Sequence, residues 1–364
     1  MNAIVPVHRH ASCPLVPYWQ IVRRPAGPRF PAKRTLQAMK TMPSDAQQAL
    51  LDWYRANARD LPWRRTRDPY RILVSEIMLQ QTQVDRVIPK YHAFLKQFPT
   101  LEALADAPAS AVIRAWAGLG YNRRALNLQR AARAVVEEHG GEMPRTIEGL
   151  GELPGIGPYT AGAIACFAFE QDVGFADTNI RRVLHRVLCG PELPQPAVKP
   201  REIERIASEN VPEGAGYDWN QALIELGALV CRSRSVDCEV CPLAKWCLAR
   251  PVIREVLAEA QSTRVQRRKQ QGATSGPERF ETTSRYFRGR VVDLLRDAPN
   301  GLTAGQLANL IDTDRSENGW IEPYIEGLVR DGLIVADQFA GVREEVAAYD
   351  GDRPTGGLRY RLPD

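Results

Sequence analysis

Two carboxylates, Glu76 and Asp177, stand where acid–base chemistry could use them. Glu76 lies in residues 69–84, PYRILVSEIMLQQTQV, where Ile72, Leu73, Val74, Ile77, Met78 and Leu79 make nearly every helical face apolar. A helix that is apolar all round is buried, and burial raises a carboxyl pKa because it disfavours the charged form. So placed, Glu76 is a general acid near neutral pH. Turned outward between its apolar neighbours, it has no chemical role. Asp177 opens FADTNIRRV, ahead of a helix with Ile180, Val183, Leu184 and Val187 on its apolar side. It reads as an N-cap. It also reads as an ionised carboxylate, held at a helix N-terminus to face a cation formed during a reaction. The two roles are compatible.

A second group of reactive side chains is the run CRSRSVDCEVCPLAKWC, with Cys231, Cys238, Cys241 and Cys247 in the spacing C-x6-C-x2-C-x5-C. Four thiolates so close in sequence can close around one cofactor. Zinc sites more often pair two C-x2-C knuckles, and an iron–sulfur cluster tolerates the uneven spacing. The remaining three of the seven cysteines are scattered, which fits a reducing compartment better than a disulfide framework. Cys166 and Cys189 fall in apolar helical runs and read as core residues. His8, His10 and Cys13 have no fourth ligand nearby and read as a chance grouping.

Residues 152–165, ELPGIGPYTAGAIA, join two helical runs. Gly155 and Gly157 permit a tight turn, and Pro158 suits the first position of the second helix. Backbone N–H groups of such a turn can bind a phosphate oxygen. The reading is a helix-hairpin-helix that grips a DNA backbone without reading its sequence, against an ordinary helical hairpin.

The elements that must position these residues are mostly helical. The chain has 364 residues, enough for two or three domains. A first helix starts at Ser44 or Asp45, which can cap it, and the central helix opens at Pro69 and Tyr70. Further helical stretches are expected near 84–97, 101–106, 109–117, 122–138 and 146–151, punctuated by Pro and Gly. Residues 251–278 are polar and read as a linker. Beyond them helices are expected at 288–297, 303–311 and 320–331, with strands at 333–336 and 359–362, which suggests a winged helix. Glu322 and Glu326 make the outer face of its last helix acidic as well as basic, as suits a protein-facing role at least as well as the major groove. The net charge is +5, but residues 1–44 carry seven Arg or Lys and no acid, so the rest is at −2. Net charge alone therefore does not argue for nucleic acid, and any DNA contact is local. The tail reads as mobile and basic, or less readily as a mitochondrial-type address. No run approaches the roughly 20 apolar residues of a membrane helix.

Taken together, LPWR at 61–64, SEIMLQQT at 75–82, GLGY at 118–121, the hairpin and the four cysteines resemble the iron–sulfur branch of the helix-hairpin-helix DNA glycosylases, and within it the MutY-type adenine DNA glycosylases. The resemblance covers residues 45–250. It implies a mainly α, two-lobed fold with a 4Fe–4S loop, plus the small C-terminal winged-helix-like α+β domain. The expected division is a basic disordered tail over 1–44 and an iron–sulfur lobe from 45–66 and 179–250. A helical barrel with the hairpin covers 67–178, followed by the linker at 251–278 and the last domain at 279–364. It also implies removal of adenine mispaired with 8-oxoguanine or guanine in double-stranded DNA, by a cytoplasmic, nucleoid-associated bacterial monomer.

The same resemblance assigns roles. Glu76 protonates N7 of the departing adenine, and Asp177 stabilises the oxocarbenium-like sugar. Tyr159, Asn179 and Gln221 surround the extruded nucleotide. Gln81 and Tyr121 wedge into the duplex. Trp63, Arg64, Gly155 and Gly157 complete the DNA-binding set, and Cys231, Cys238, Cys241 and Cys247 hold the 4Fe–4S cluster. Asp177-Thr178-Asn179 stands where many relatives have Asp-Gly-Asn, and the C-terminal part departs from the nudix-like domain many carry.

One inference needs no resemblance. Strand-cutting glycosylases typically attack the sugar with a Lys amine. Tyr159 follows Gly157-Pro158, and no Lys occurs between Lys96 and Lys199. Base excision without efficient strand cleavage is expected. A thymine or uracil mismatch glycosylase on the same scaffold is the alternative enzyme. A non-catalytic iron–sulfur winged-helix regulator is the alternative of another class.

Overall fold

A computed structural model describes residues 41–270, 280–313, 319–337 and 358–364; side chains at 267–270 are not described. Nearly all of the basic tail expected over 1–44 lies outside these residues, with His8, His10 and Cys13.

The chain opens with α1, Ser44–Asn57. Pro43, not Ser44 or Asp45, occupies its N-cap, and no side chain caps it. Asp45 sits instead in the first turn, where a negative charge meets the positive end of the helix. A short 3-10 turn, Pro62–Arg65, leads to α2, Pro69–Leu79. Asp68 caps α2 by accepting from the N–H groups of Tyr70 and Arg71, with Pro69 in the first turn. The all-round apolar character of α2 has the expected result: Ile72 to Met78 are all buried.

Helices α3 (Val84–Gln97), α4 (Leu101–Ala105), α5 (Ala109–Ala115), α6 (Arg123–His139), α7 (Ile147–Glu152) and α8 (Pro158–Phe167) follow in order. Helix α2 packs on α3, α6 and α8; α6 also receives α4 and α5, and α7 packs on α8. Next come α9 (Thr178–Leu188), α10 (Pro200–Glu209) and α11 (Gly216–Leu229). Helix α11 lies on α9, on α1 and against α8, while α10 covers α9. Close approach of α9 and α11 depends on Gly227, because a Cβ there would stand 2.6 Å from Cβ of Asn179. One large apolar core joins all these helices, with Trp116, Trp219 and Phe94 fully enclosed.

After the cysteine run, α12 covers Ile253–Gln270. The polar stretch expected over 251–278 is therefore largely helical, with Ile253 and Leu257 resting on Cys238 and Cys247. The C-terminal part contains α13 (Ser284–Arg296), β1 (Leu302–Thr303), α14 (Ala304–Ile311), α15 (Glu322–Arg330), β2 (Val335–Asp337) and β3 (Arg359–Arg361). The sheet order is β1-β3-β2, antiparallel throughout. Three helices and a winged sheet match the sequence expectation, except that β1 adds a third strand. Its two residues are too few to show an alternating pattern. The core of this part is shared: Ala109 and Ile113 of α5 and Leu126 of α6 join Val291, Leu307, Ile325 and Leu362 in one cluster. No helix among the described residues is long and apolar enough to cross a membrane.

Candidate active site

Glu76, Tyr159, Asp177 and Asn179 come together from three helices. Helix α2 carries Glu76, α8 carries Tyr159 in its first turn, and Asp177 and Asn179 form the start of α9. Glu76 is 6 % exposed, and its Oε2 accepts the Tyr159 hydroxyl at 2.8 Å. Burial pushes the Glu76 carboxyl up to about 7, and nearby Asp177 adds to the rise; the Tyr159 hydrogen bond and Arg64 oppose it. Glu76 is therefore a buried acid that still carries its proton part of the time near neutral pH. Tyr159 remains neutral, since burial and the two carboxyls raise its pKa well above the ordinary range.

Asp177 is the N-cap of α9, as its sequence setting predicts. Oδ1 accepts from the N–H groups of Asn179 at 2.8 Å and Ile180 at 2.6 Å, and Oδ2 accepts from the Asn179 amide at 2.9 Å. Burial raises its pKa, while these three donors and the Arg182 charge pull it back. Unlike Glu76, Asp177 is half-buried. Burial raises both carboxyls, but Asp177 has more donors opposing the rise: Glu76 accepts one hydrogen bond, whereas Asp177 accepts three and faces the Arg182 charge.

Arg182 was not singled out in the sequence. From α9 it donates to Asn179 Oδ1 and to the carbonyls of Gly227 and Cys231, each at 2.7 Å. It thereby fixes the partner of Asp177 and anchors the start of the cysteine run in one step. The only sequence hint is its spacing of three from Asn179, one helical turn.

Two predicted contact residues face inward. Trp63, expected to touch DNA, is 7 % exposed and meets Tyr91 edge to face at 5.6 Å in the core. Arg64 is likewise internal. It donates to Gln221 Oε1 at 2.9 Å and to Glu225 Oε2 at 2.8 Å. Glu225 is fully buried and also takes a forked pair of bonds from Arg59. Burial alone would raise the Glu225 carboxyl, but hydrogen bonds from Arg59 and Arg64 hold it at about 2. An ionised carboxylate with two guanidinium partners is a fixed strut. Through Arg64 it orients Gln221, which is 5 % exposed. The partners lie far apart in the sequence, so nothing local marked Glu225.

Gln81 and Tyr121 lie in the loops after α2 and before α6. Both are exposed and both have positive φ, 56° and 49°. Such a backbone is unusual for residues with a Cβ and stores strain at functional positions. Half-buried Arg124 clamps both loops, donating to the carbonyls of Ile77, Met78, Gln80, Leu119 and Gly120. The hairpin takes the expected form. Gly155 has φ 78°, and a Cβ there would stand 2.7 Å from Cβ of Asn127. Gly157 is the N-cap of α8 with Pro158 first in the helix, leaving its N–H groups open to an anion.

The four cysteines of the 231–247 run line one small pocket, floored by Arg186 and the apolar side chains of Val183, Val187 and Leu226. Arg186 Nη1 is 3.5 Å from Cys231 Sγ. Among the described residues, no three His, Cys, Asp or Glu side chains converge as a single metal ion requires. Burial raises the free thiols of Cys241 to about 12 and of Cys247 to about 11.

Residues 74–213 match the family model described as HhH-GPD superfamily base excision DNA repair protein. The chain is similar to the adenine DNA glycosylase of Mycolicibacterium smegmatis, 39% identical over 288 residues, covering 78% of this chain and 91% of that protein. It is 46% identical over 211 residues to the human adenine DNA glycosylase, covering 56% of this chain but only 39% of the human protein. Among solved structures, a thermostable thymine-DNA glycosylase superposes with a TM-score of 0.51 at 32% identity, over 56% of this chain and 94% of that one.

Proposed function

This chain belongs to the adenine DNA glycosylases of the HhH-GPD superfamily, and on that premise we propose that it excises adenine mispaired with 8-oxoguanine or guanine from duplex DNA. The observation that carries this reading is a submerged carboxyl at about 7 with a second, hydrogen-bonded carboxyl near enough to act on its pKa. The reading places an extruded adenosine between them. Glu76 gives its proton to N7, and the C1′–N9 bond breaks with its electrons moving into the purine. The positive sugar left behind faces charged Asp177, and water adds at C1′ with loss of a proton. Asn179 and Arg182 keep the Asp177 carboxylate aimed. Gln221, held by Arg64, presents an amide to the adenine edge. Gln81 and Tyr121 fill the gap in the duplex.

Tyr159 stands where a strand-cutting enzyme would present its amine, and no Lys lies between Lys96 and Lys199. The reaction therefore ends at an abasic site with the strand intact.

Cys231, Cys238, Cys241 and Cys247 would hold a 4Fe–4S cluster. All four line one pocket, the Arg186 guanidinium offsets thiolate charge there, and their uneven spacing suits an iron–sulfur cluster better than a single zinc ion. When bound, such a cluster would fix the 231–247 run on itself, while Arg182 and Arg186 tie that run to α9.

The test is a base-release assay over duplexes with A:8-oxoG, A:G, T:G and U:G pairs, followed with and without alkali. Adenine release that needs alkali for strand scission is expected. Preferential release of thymine or uracil, or unaided scission that survives removal of the tail lysines, would overturn the proposal.

A further inference from the structure

Between α8 and α9 the chain crosses residues 170–177 without helix or strand, and Asp177 stands at the end of that stretch. Irregular segments are ordinarily the mobile parts of a fold, yet this one is pinned at nearly every residue. The Gln171 N–H donates to the Ala165 carbonyl at 3.1 Å. Asp172 accepts the N–H groups of Gly214 at 2.6 Å and Gly216 at 2.8 Å. The Val173 carbonyl accepts the Asn220 amide at 2.9 Å. Gly174 passes so close to α10 that a Cβ there would stand 2.2 Å from the Ala207 carbonyl oxygen.

Phe175 is the last pin before the carboxylate. It is buried, and its ring meets Tyr159 edge to face at 5.4 Å and Phe167 at 5.5 Å. It also lies against α8 at Gly162, where an added Cβ would stand 2.9 Å from Phe175 Cβ and 3.3 Å from its ring. Turning the side chain cannot relieve such a contact, because a Cβ moves only with its backbone. Tyr159 and Gly162 lie one helical turn apart on α8 and share a face of it. A single side chain, two residues before Asp177, therefore rests on the same face of the helix that carries Tyr159.

We propose that Phe175, seated on Gly162, is a positioning residue for base release and sets the distance from the Asp177 carboxylate to the Glu76–Tyr159 pair. The assignment rests on the adenine-excision reading above and adds a residue that acts through another. Close-packed interiors transmit displacement rather than absorb it. A methyl group at 162 pushes Phe175 away from α8, and Asp177 moves with it, away from Tyr159 and Glu76. Of the three groups that act on Glu76, Tyr159 and Arg64 sit on other elements, and Asp177 alone is carried by this segment.

The experiment measures single-turnover adenine release from an A:G duplex across pH for the full chain, as wild type, Gly162→Ala, Phe175→Leu and Phe98→Leu. Phe98 is a buried ring packed on Phe94 at 4.9 Å and controls for lost packing alone. Duplex affinity and urea midpoints are measured alongside. Gly162→Ala and Phe175→Leu are each expected to slow release by about tenfold or more, since a misplacement on the order of 1 Å can cost about a hundredfold. Affinity should stay within about twofold of wild type, as it does when only transition-state contacts are lost. In Gly162→Ala the basic limb of the pH profile should also move down, because Asp177 raises the Glu76 pKa and now acts from farther away. Phe98→Leu should lower the urea midpoint while keeping the wild-type rate and limb. Wild-type rates in both site variants, an unmoved or rising limb in Gly162→Ala, or the same slowing in Phe98→Leu would overturn the assignment. Should one site variant fail to fold, the other decides; failure of both makes Phe175 a core residue only and overturns the assignment too. Release by wild type with unaffected variants sinks this inference alone, whereas absence of wild-type release from every mispair sinks the activity and this inference with it.

Discussion

Replacing Glu76 by Gln should make the protein less active and more stable, and the gain should depend on pH in a calculable way. Folding moves the Glu76 carboxyl from 4.5 to about 7, a rise of about 2.5 units. At 1.36 kcal/mol per unit, ionising the folded protein costs up to about 3 kcal/mol. The sign follows from proton uptake. Between pH 4.5 and 7 the folded state holds a proton that the unfolded state has released, so stability falls as pH rises through that window. The penalty is absent below 4.5 and complete above 7. Gln keeps the shape and can still accept the Tyr159 hydroxyl, yet has no charge to desolvate. Urea unfolding followed by tryptophan fluorescence should therefore give equal midpoints for wild type and Glu76→Gln near pH 4.5. At pH 8 the variant midpoint should be higher by about 1 M, taking an m-value of about 3 kcal/mol per molar. Adenine release should fall by about a hundredfold or more, the usual contribution of a general acid. An equal midpoint difference at both pH values would refute the buried-acid account, as would retained activity.

The Tyr159→Phe change removes a hydrogen bond that lowers the Glu76 pKa; the basic limb of the pH profile for base release should move up by about 1 unit, since bonds to charged groups are worth about 1.5–3 kcal/mol, and a downward move would contradict this. Arg182→Ala leaves the Asn179 amide and two carbonyls without their donor, so single-turnover release should slow by about tenfold or more and iron content should fall; undiminished values of both would show the link to be inert. The Gly155→Ala change forces a Cβ toward Asn127 at a positive φ, and duplex affinity should drop by about tenfold, a loss of about 1–2 kcal/mol, with base release from saturated duplex less affected; unchanged affinity would remove the hairpin from the DNA grip.

Much of the site could be read from the sequence because local rules govern it. The burial of Glu76 follows from six apolar neighbours on one helix, and the capping by Asp177 follows from its place before an apolar period. The Pro-Gly-x-Gly-Pro string dictated its own turn. Where the reading departed, partners distant in sequence decided. Trp63 and Arg64 look like surface groups beside a proline, yet Tyr91 and Glu225 draw them inward. Arg124 and Arg182 act on carbonyls, which no sequence pattern displays. Helix α12 is polar enough to pass for an irregular segment, and only the residues beneath it at the cysteine run reveal its packed side.

The C-terminal module and the glycosylase body meet in a common interior, because α5 and α6 supply Ala109, Ile113 and Leu126 to the cluster built by α13, α15 and β3. Reciprocal bonds between Arg114 and the Arg296 carbonyl, and between Arg296 and the Ile113 carbonyl, stitch its rim. Severing the chain after α12 would strip a greasy patch bare on the remaining piece rather than release an independent appendage. Whatever grips or distinguishes substrate from this end is thus bolted at a set distance from the chemistry, and its reach is a dimension of the architecture rather than the swing of a tether.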